Sequence, residues 1–535
     1  MQVAHSQTKP ILTKTNDSWQ LSKLDKLWRQ SAFFKWQLRG QPGEWPSVKL
    51  IDPWQGNAMR GSQYVQGGLS KMLKDEAYHN FGWLRDIRDY GGAAGRILAR
   101  DHITKWCQKH TRWHERRYRP DHLGTRLSHL CFTLQWVGDS ASDEFQQTLL
   151  RTLSFQTNIL ARDWQKLHDQ HAQIKALRGL FIAQAMLGQN ERDLPSLLEI
   201  IISKARACLY PDWGIRLRSP EAHLDLLRLL IEVKQASFIL DMPPSDDLDI
   251  MIIHMANLCK LWRHNNGQFA HFQGGGKSHA THIDEVLKRT GAKGKITPQA
   301  PHTGFLRLTA ARNTIIMDAG TPEPNAEFPA ASTLAFEFSV GQSRFIVGAG
   351  QYSPDKRLAS ALCRTAAHSA LSLDNADSSD ISQNRLAQVQ NVEAGPAVGG
   401  MLAVGSHDGY SQSHGIIHHR QVYLTSDGHN LRGADRLEYT GAPGEIPSYA
   451  FIRFHLHPRV SAAMLGDERI LLKIHGQKAG WIFKSTGGSA RLEQSLYLDE
   501  GRRSSCQQIV LSVPCSSIRT IGEIEAKWAF IRSVP

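Results

Sequence analysis

No CxxC pair occurs in the 535 residues, and the seven cysteines (Cys107, Cys131, Cys208, Cys259, Cys363, Cys506 and Cys515) are scattered and odd in number. That spacing excludes a thiolate zinc site and speaks against a disulfide framework, so buried free thiols are expected. No apolar run reaches the roughly 18 residues that a membrane-spanning helix needs. Residues 1–20 carry Lys, Asn, Asp, Gln and Thr and no apolar block, so no secretory leader is visible. A cytoplasmic location is the expectation, with the periplasm or cell envelope as the alternative. Acidic residues are in deficit: 63 Lys and Arg face 50 Asp and Glu, a net charge of +13. No helix-turn-helix, RNP or zinc-knuckle pattern accompanies that charge, so nucleic acid is not the expected partner.

What is present is an ordinary globular composition, 41% hydrophobic and 21% charged, in a chain too long for one core. Residues 1–74 are irregular, with Pro42, Gly43, Pro46, Pro53 and Gly56, and read as an arm with one short helix near Lys23 to Trp36. From 75 to 295 the apolar period is helical. Leu177, Leu180, Phe181 and Ala185 share one face, as do Leu224, Leu227 and Ile231, and then Leu248, Ile252, Met255 and Leu258. Residues 85–126 hold eleven Lys and Arg against five Asp and Glu, interleaved with Trp106, Trp113 and Tyr118. That stretch reads either as a polyanion-binding face or as a basic helical surface whose aromatics turn to the core.

Turn clusters at 264–304 mark a boundary, and from 305 to 532 the period is two. Leu334, Phe336, Phe338 and Val340 alternate with Ala335, Glu337 and Ser339; Gly341-Gln342 then turns the chain into Arg344-Phe345-Ile346-Val347. A second hairpin turns at Gly487-Gly488. The fold class is therefore multidomain, a helical array followed by an antiparallel β-sandwich. His368, at the head of the short strand Ala370–Leu373, is either a base, donor or metal ligand, or the cap of a sheet edge.

Several motifs in fixed order now carry a resemblance. They are Asp318-Ala319-Gly320, Thr333 to Ser339, Thr365-Ala366-Ala367-His368-Ser369, Ser406-His407-Asp408-Gly409-Tyr410, His418-His419-Arg420, Arg453-Phe454-His455-Leu456-His457-Pro458 and Leu492 to Tyr497. In the helical half, Phe81 to Asp86 and Asp212-Trp213-Gly214 through Ser219 to His223 join them. Together they resemble the heparinase II/III family of polysaccharide lyases over most of residues 75–530. The resemblance implies an incomplete α/α toroid before the sandwich. It also implies cleavage of an acidic, uronate-containing glycan by β-elimination, a carbon–oxygen lyase reaction. A non-catalytic protein that binds a glycan or an envelope precursor on the same scaffold is the alternative.

β-Elimination sets three tasks: neutralising the uronate carboxylate, taking the C5 proton and protonating the leaving oxygen. The candidates are His368, His223 and Tyr410 as catalytic groups, with Arg218, His171 and Arg85 as substrate-binding groups. Ser219-Pro220 reads as a helix start, Ser219 capping and Pro220 in the first turn, which places His223 in that turn and Arg218 just outside it. Each has a structural counterpart: Arg218 paired with Asp212 or Glu221, His223 packed, Tyr410 lying on a sheet. Family members can hold a structural zinc with His and Asp; His407 and Asp408 offer ligands here, without a third at a convincing position. His455 and His457 share one strand face and read as hydrogen-bonded residues of an inner strand. Two departures stand out. Leu167-His168-Asp169-Gln170-His171 replaces the family's Asn-His pair, and Ala222 stands where lyases place a tyrosine.

Overall fold

Apolar stripes at helical spacing must be covered, and in the computed structural model they are. Residues 19, 21–39, 43–73, 75–350, 353, 355–466, 468–499 and 502–533 are described. Leu177, Phe181, Leu227 and Met255, named from periodicity, are fully buried. The described chain divides into two compact units, one of Asp17–Cys208 and Leu226–Ile252, the other of Leu209–Asp225 and Ile253–Pro535. This division differs from the boundary expected between 295 and 305. Residues 253–300 belong with the strands, because the turns after the Asp246–Cys259 helix feed side chains into the first sheet. The part of the expected arm before residue 19 lies outside the described residues.

The first unit is the helical toroid. Its longer helices are Gly92–Lys109, Pro120–Gly138, Asp143–Asp163, Gln170–Leu187 and Leu194–Ala207. Ser142 and Asp169 cap two of them, Asp143–Asp163 and Gln170–Leu187, by accepting the Phe145 and Ala172 amides, and Gly188, at φ 61°, ends the second of these in the left-handed conformation. The single short helix expected near Lys23 to Trp36 is two, Lys23–Gln30 and Ala32–Leu38, broken where the Ser31 side chain accepts the Phe34 amide. Buried Arg29 donates from Nη2 to Asp163 Oδ1 at 2.8 Å, which ties this segment to the toroid helices. In the basic stretch Trp106, Trp113 and Tyr118 are all buried, and the Arg126 guanidinium lies 4.8 Å from the Trp106 ring. Its aromatics therefore stack on their own arginines and are closed to a bound base. Among the described residues no helix is long and apolar enough to cross a membrane.

The second unit is the antiparallel β-sandwich. Among the described residues nine strands form one sheet and eight the other. The first runs Gln299–Ala300, Phe305–Ala310, Asn313–Asp318, Ala335–Val340, Ser343–Val347, Tyr449–Leu456, Arg502–Pro514 and Ser489–Asp499, with Leu371–Leu373 paired to Tyr449–Leu456. The second runs Val460–Met464, Ile470–Ile474, Gly480–Thr486, Glu523–Arg532, Asn430–Tyr439, Ile416–Thr425, Gly400–Tyr410 and Val389–Ala397. Between them lies an aromatic core in which Phe336 stacks on Trp528 at 5.5 Å and Phe454 meets Trp528 at 4.8 Å. The alternation read from 334 to 340 is real, yet the polar face is buried as well: Glu337 and Ser339 are 0% and 1% exposed. All seven cysteines are free and buried.

The helices Pro120–Gly138 and Gln170–Leu187 touch backbone to backbone. A Cβ on Gly179 would lie 2.1 Å from the Gly124 carbonyl oxygen, and one on Gly124 would lie 2.4 Å from that of Lys175. Gly→Ala inside a helix ordinarily helps by up to about 1 kcal/mol. Here the sign reverses: Gly179→Ala is expected to lower stability by about 1–3 kcal/mol, read as a fall in the denaturant midpoint at unchanged slope.

Candidate functional site

The six residues nominated from sequence fall in both units. Arg85 and His171 belong to the helical unit. Arg85 is 7% exposed; its Nε donates to Asp52 at 2.7 Å and its Nη2 to Glu232 at 3.0 Å. Glu232 also accepts from Arg178 Nη1 at 2.6 Å and Trp54 Nε1 at 2.7 Å. Burial alone would raise the Glu232 carboxyl, but Arg178 and Arg85 outweigh it and hold it down at about 2. Arg85 is thus a strut of the toroid interior, a correction to its reading as a substrate-binding group. His171 is half-buried in the first turn of the Gln170–Leu187 helix.

Arg218, His223, His368 and Tyr410 all belong to the sandwich unit. Arg218 precedes the Pro220–Ile239 helix at φ 54°, in the left-handed region that non-glycine residues rarely occupy. That turn swings its guanidinium inward, over the Phe305 ring at 4.9 Å. It donates to the carbonyls of Thr303 at 2.7 Å, Thr321 at 2.8 Å and Gly304 at 3.1 Å, and it is ion-paired with Asp318. Gly304 and Gly320 make the room: a Cβ at either would come within 3.1 Å of the guanidinium. Arg218 is 2% exposed, and its partner is Asp318 rather than Asp212 or Glu221. Asp212 instead accepts the His302 and Thr303 amides at 2.8 and 2.7 Å.

The helix start at Ser219-Pro220 is as expected, and Ser219 Oγ accepts the Ala222 amide at 3.4 Å. His223, in its first turn, is fully buried, with Nε2 donating to the Met255 carbonyl at 2.9 Å and its ring 5.0 Å from Trp262. Burial pushes its pKa down to about 4. His368 is 1% exposed. Burial takes its pKa to about 4 against the opposing pull of Asp318 and Glu337, so it is neutral at physiological pH. Among the described residues neither of its ring nitrogens has a hydrogen-bond partner. Asp318, the carboxylate ion-paired with Arg218, is also one of the two that oppose the fall in the His368 pKa. Tyr410 is fully buried, its hydroxyl donates to the Leu371 carbonyl at 2.7 Å, and burial pushes its pKa up. This conformation does not present these four to substrate: each is enclosed, Arg218 and the Tyr410 hydroxyl are committed to the protein, and His223 is bonded through Nε2 while its Nδ1 has no partner among the described residues.

Of the two zinc candidates, Asp408 accepts the Gln388 amide, and His407 meets His418 and, through it, Asp435 instead. The His407 Nδ1 accepts the Gly409 amide at 3.1 Å, so its proton sits on Nε2 and points to His418 Nδ1 at 3.0 Å. His418 Nε2–H then donates to Asp435 Oδ1 at 2.8 Å. Arg420 and Trp528 complete Asp435 at 2.7 and 2.8 Å. The three side chains form a line of donors and acceptors, whereas zinc needs its ligands convergent on one point. Among the described residues no group of three or more His, Cys, Asp and Glu could hold a metal ion. The set does not fit zinc.

Sequence reasoning missed a second buried polar cluster. Glu337 accepts from His264 Nε2 at 2.9 Å and from the His271 amide at 3.1 Å, and is ion-paired with Arg344. The Tyr497 ring stacks on His271 at 5.4 Å and meets His457 edge-on at 5.0 Å, and its buried hydroxyl has no partner among the described residues. The signal for it was present in the ionisable residue alternating with apolar ones at 336–338. His455 is the hydrogen-bonded inner-strand residue expected, donating to or accepting from Ser495 Oγ at 2.8 Å and donating to the Ala366 carbonyl at 3.0 Å.

Comparison with known proteins places these features. Residues 292–526 match the family described as heparinase II/III-like, C-terminal. Over 476 residues the chain is 25% identical to the FtsZ-localized protein C of Caulobacter vibrioides, covering 85% of this chain and 81% of that one. Among solved structures, a heparinase III is similar with a TM-score of 0.67 at 12% identity, over 94% of this chain and 89% of that one. The heparan sulfate lyase HepC of Pedobacter heparinus gives 0.63 at 14% identity, over 94% and 88%. At such identities the two lyases share the fold.

Two outcomes follow. Arg218→Gln removes the cation from a fully buried carboxylate and is expected to cost about 3–5 kcal/mol in chemical denaturation. Pairing it with Asp318→Asn should recover much of that loss, which a substrate-binding role would not produce. The depressed histidines predict a pH dependence. His223, His264 and His368 sit near 4 and His455 near 3, against an ordinary 6.5. Below 6.5 the unfolded chain takes up protons that the folded chain refuses, so stability is fully present above that pH and is lost as pH falls towards 4. Thermal unfolding followed from pH 8 to 4.5 should show a flat region and then a falling midpoint.

Proposed function

We propose that this protein, a member of the heparinase II/III family, binds an acidic glycan or a glycan precursor of the cell envelope on a lyase scaffold without cleaving it by β-elimination. One observation carries the reading. Arg218, His223, His368 and Tyr410 are 2%, 0%, 1% and 0% exposed, so no group nominated to take or give a proton meets solvent, and of the nominated substrate-binding groups only His171, in the helical unit, is half-buried. Elimination needs all three contacts on the reacting sugar at once. The Ala222 found where lyases place a tyrosine agrees with the loss of that chemistry. The net charge of +13 favours an anionic ligand. The name of the Caulobacter relative supports a site of action beside FtsZ.

A second reading, elimination by a different set of groups, rests on Tyr497. Its hydroxyl has no partner among the described residues and His271 and His457 lie against the ring, the side-chain types that the reaction uses; at 3% exposed it too is enclosed, so this reading requires the cluster to open to substrate.

Mixing the purified protein with heparin, chondroitin, alginate and envelope glycans separates the two. Saturable, salt-weakened binding with no new ultraviolet absorbance from an unsaturated uronate is expected. Absorbance that appears with the wild type and is lost in Tyr497→Phe would establish the second reading instead.

A further inference from the structure

We infer that an anionic oligosaccharide lies along a groove on the sandwich unit, held by Arg364, Arg453 and Arg503 at one end and by Arg357 and Arg385 at the other. This rests on the glycan-binding reading and names its site. Two cavities, of about 550 and 1310 Å³, share Ala361, Arg364, Ala376 and Asp377 and so form one continuous channel. The smaller is floored by the outer face of the first sheet, where Ser372, Arg453, Gln508 and Ser495 come from four strands. The larger runs between the Lys356–Leu362 helix, the 376–388 loop and residues 408–413.

The charges decide what fits. Four carboxylates line the channel, and each is turned to the protein. Asp374 accepts the Ser448 and Tyr449 amides at 2.8 and 2.9 Å. Asp377 takes the Thr365 amide at 2.9 Å and Arg364 Nε at 2.8 Å. Asp380 takes the Gln383 amide at 3.1 Å, the Ser382 hydroxyl at 2.7 Å and Arg385 at 3.1 Å. Asp408 accepts the Gln388 amide at 2.7 Å. Of the five arginines, Arg364 and Arg385 are ion-paired with Asp377 and Asp380, and the other three are less committed. Arg357 and Arg503 are exposed and have no ion pair among the described residues. Arg453 donates to Ser372 Oγ at 2.7 Å and lies over the Phe451 ring, 5.4 Å away, which fixes its direction, and the Glu493 carboxylate offsets part of its charge.

The remaining lining mixes apolar side chains, Leu358, Leu362, Ile381 and Leu386 among them, with amides and hydroxyls such as Gln494, Asn384 and Ser411, which donate and accept towards sugar hydroxyls while the apolar groups can pack on sugar faces. Arginine forks suit carboxylate or sulfate, two anionic groups of acidic glycans. A channel of this size exceeds what a single small metabolite needs.

Calorimetry at low salt with a heparin oligosaccharide (sulfate) and an oligogalacturonate (carboxylate alone) tests the assignment. The double variant Arg357→Glu/Arg503→Glu changes two exposed side chains and should leave thermal unfolding unaltered. It is expected to weaken whichever probe binds by about tenfold or more. Arg436→Glu, on the second sheet and lining neither cavity, should leave binding within about twofold. Unchanged affinity in the double variant, with the wild type binding, would overturn the groove and leave the glycan-binding reading standing. Equal affinity for a DNA strand of matched charge would overturn the oligosaccharide as its occupant. Failure of the wild type to bind either probe would overturn the groove together with the reading beneath it.

Discussion

A carboxylate taken out of water destabilises a protein by several kcal/mol unless cations and donors surround it. Asp318 is 0% exposed, and its surroundings answer that demand in full: Arg218, Ser332 Oγ at 2.6 Å and Gln273 Nε2 at 3.1 Å. The same requirement explains Arg218's unusual backbone, the two glycines that admit its guanidinium, and the three carbonyls that finish its hydrogen bonds. It also fixes what Arg218 does. A guanidinium with its donors committed to Asp318 and three carbonyls is a structural ion, and reaching for a uronate would strand the carboxylate it neutralises.

The pattern repeats through both units. Glu232 is held by Arg85, Arg178 and Trp54, Glu337 by Arg344 and His264, and Asp435 by Arg420, His418 and Trp528. Four buried carboxylates, each with at least one arginine, use the side-chain types from which a lyase builds its cleft. Here they serve cohesion. The arginines left over are at the surface of the sandwich, where the carboxylates beside them face backbone amides. An anion-binding face can therefore exist on a scaffold whose nominated acid–base groups are enclosed.

Much of the architecture was legible in the chain. The i, i+3, i+4 stripes at 177–185 and 224–231 mark helices because a buried face repeats every 3.6 residues. The alternation at 334–340 and the glycine turns at 341 and 487 mark hairpins because a strand shows one face every second residue. Ser219-Pro220 gave a helix start, for a cap is a local hydrogen bond. The site was far less legible. Arg218 pairs with a residue 100 positions away and Arg85 with one 147 away, contacts that no spacing rule encodes. The alternation at 336–338 showed that Glu337 faces opposite to the phenylalanines. It did not show that the opposite face is also covered, by His264 and His271.

By itself, then, the sequence determined the two element types, their order, the hairpin turns and the family signature. These follow from local periodicity, capping and turn chemistry, which act over a few residues. Only the tertiary structure decided whether His368, His223, Tyr410 and Arg218 meet a substrate or the protein interior. Burial is a property of what packs over a side chain, and the residues that cover these four come from distant parts of the chain. Exposure and partner choice, the two quantities that separate a catalytic imidazole from a packed one, are set by long-range contacts, and those exist only once the chain has folded.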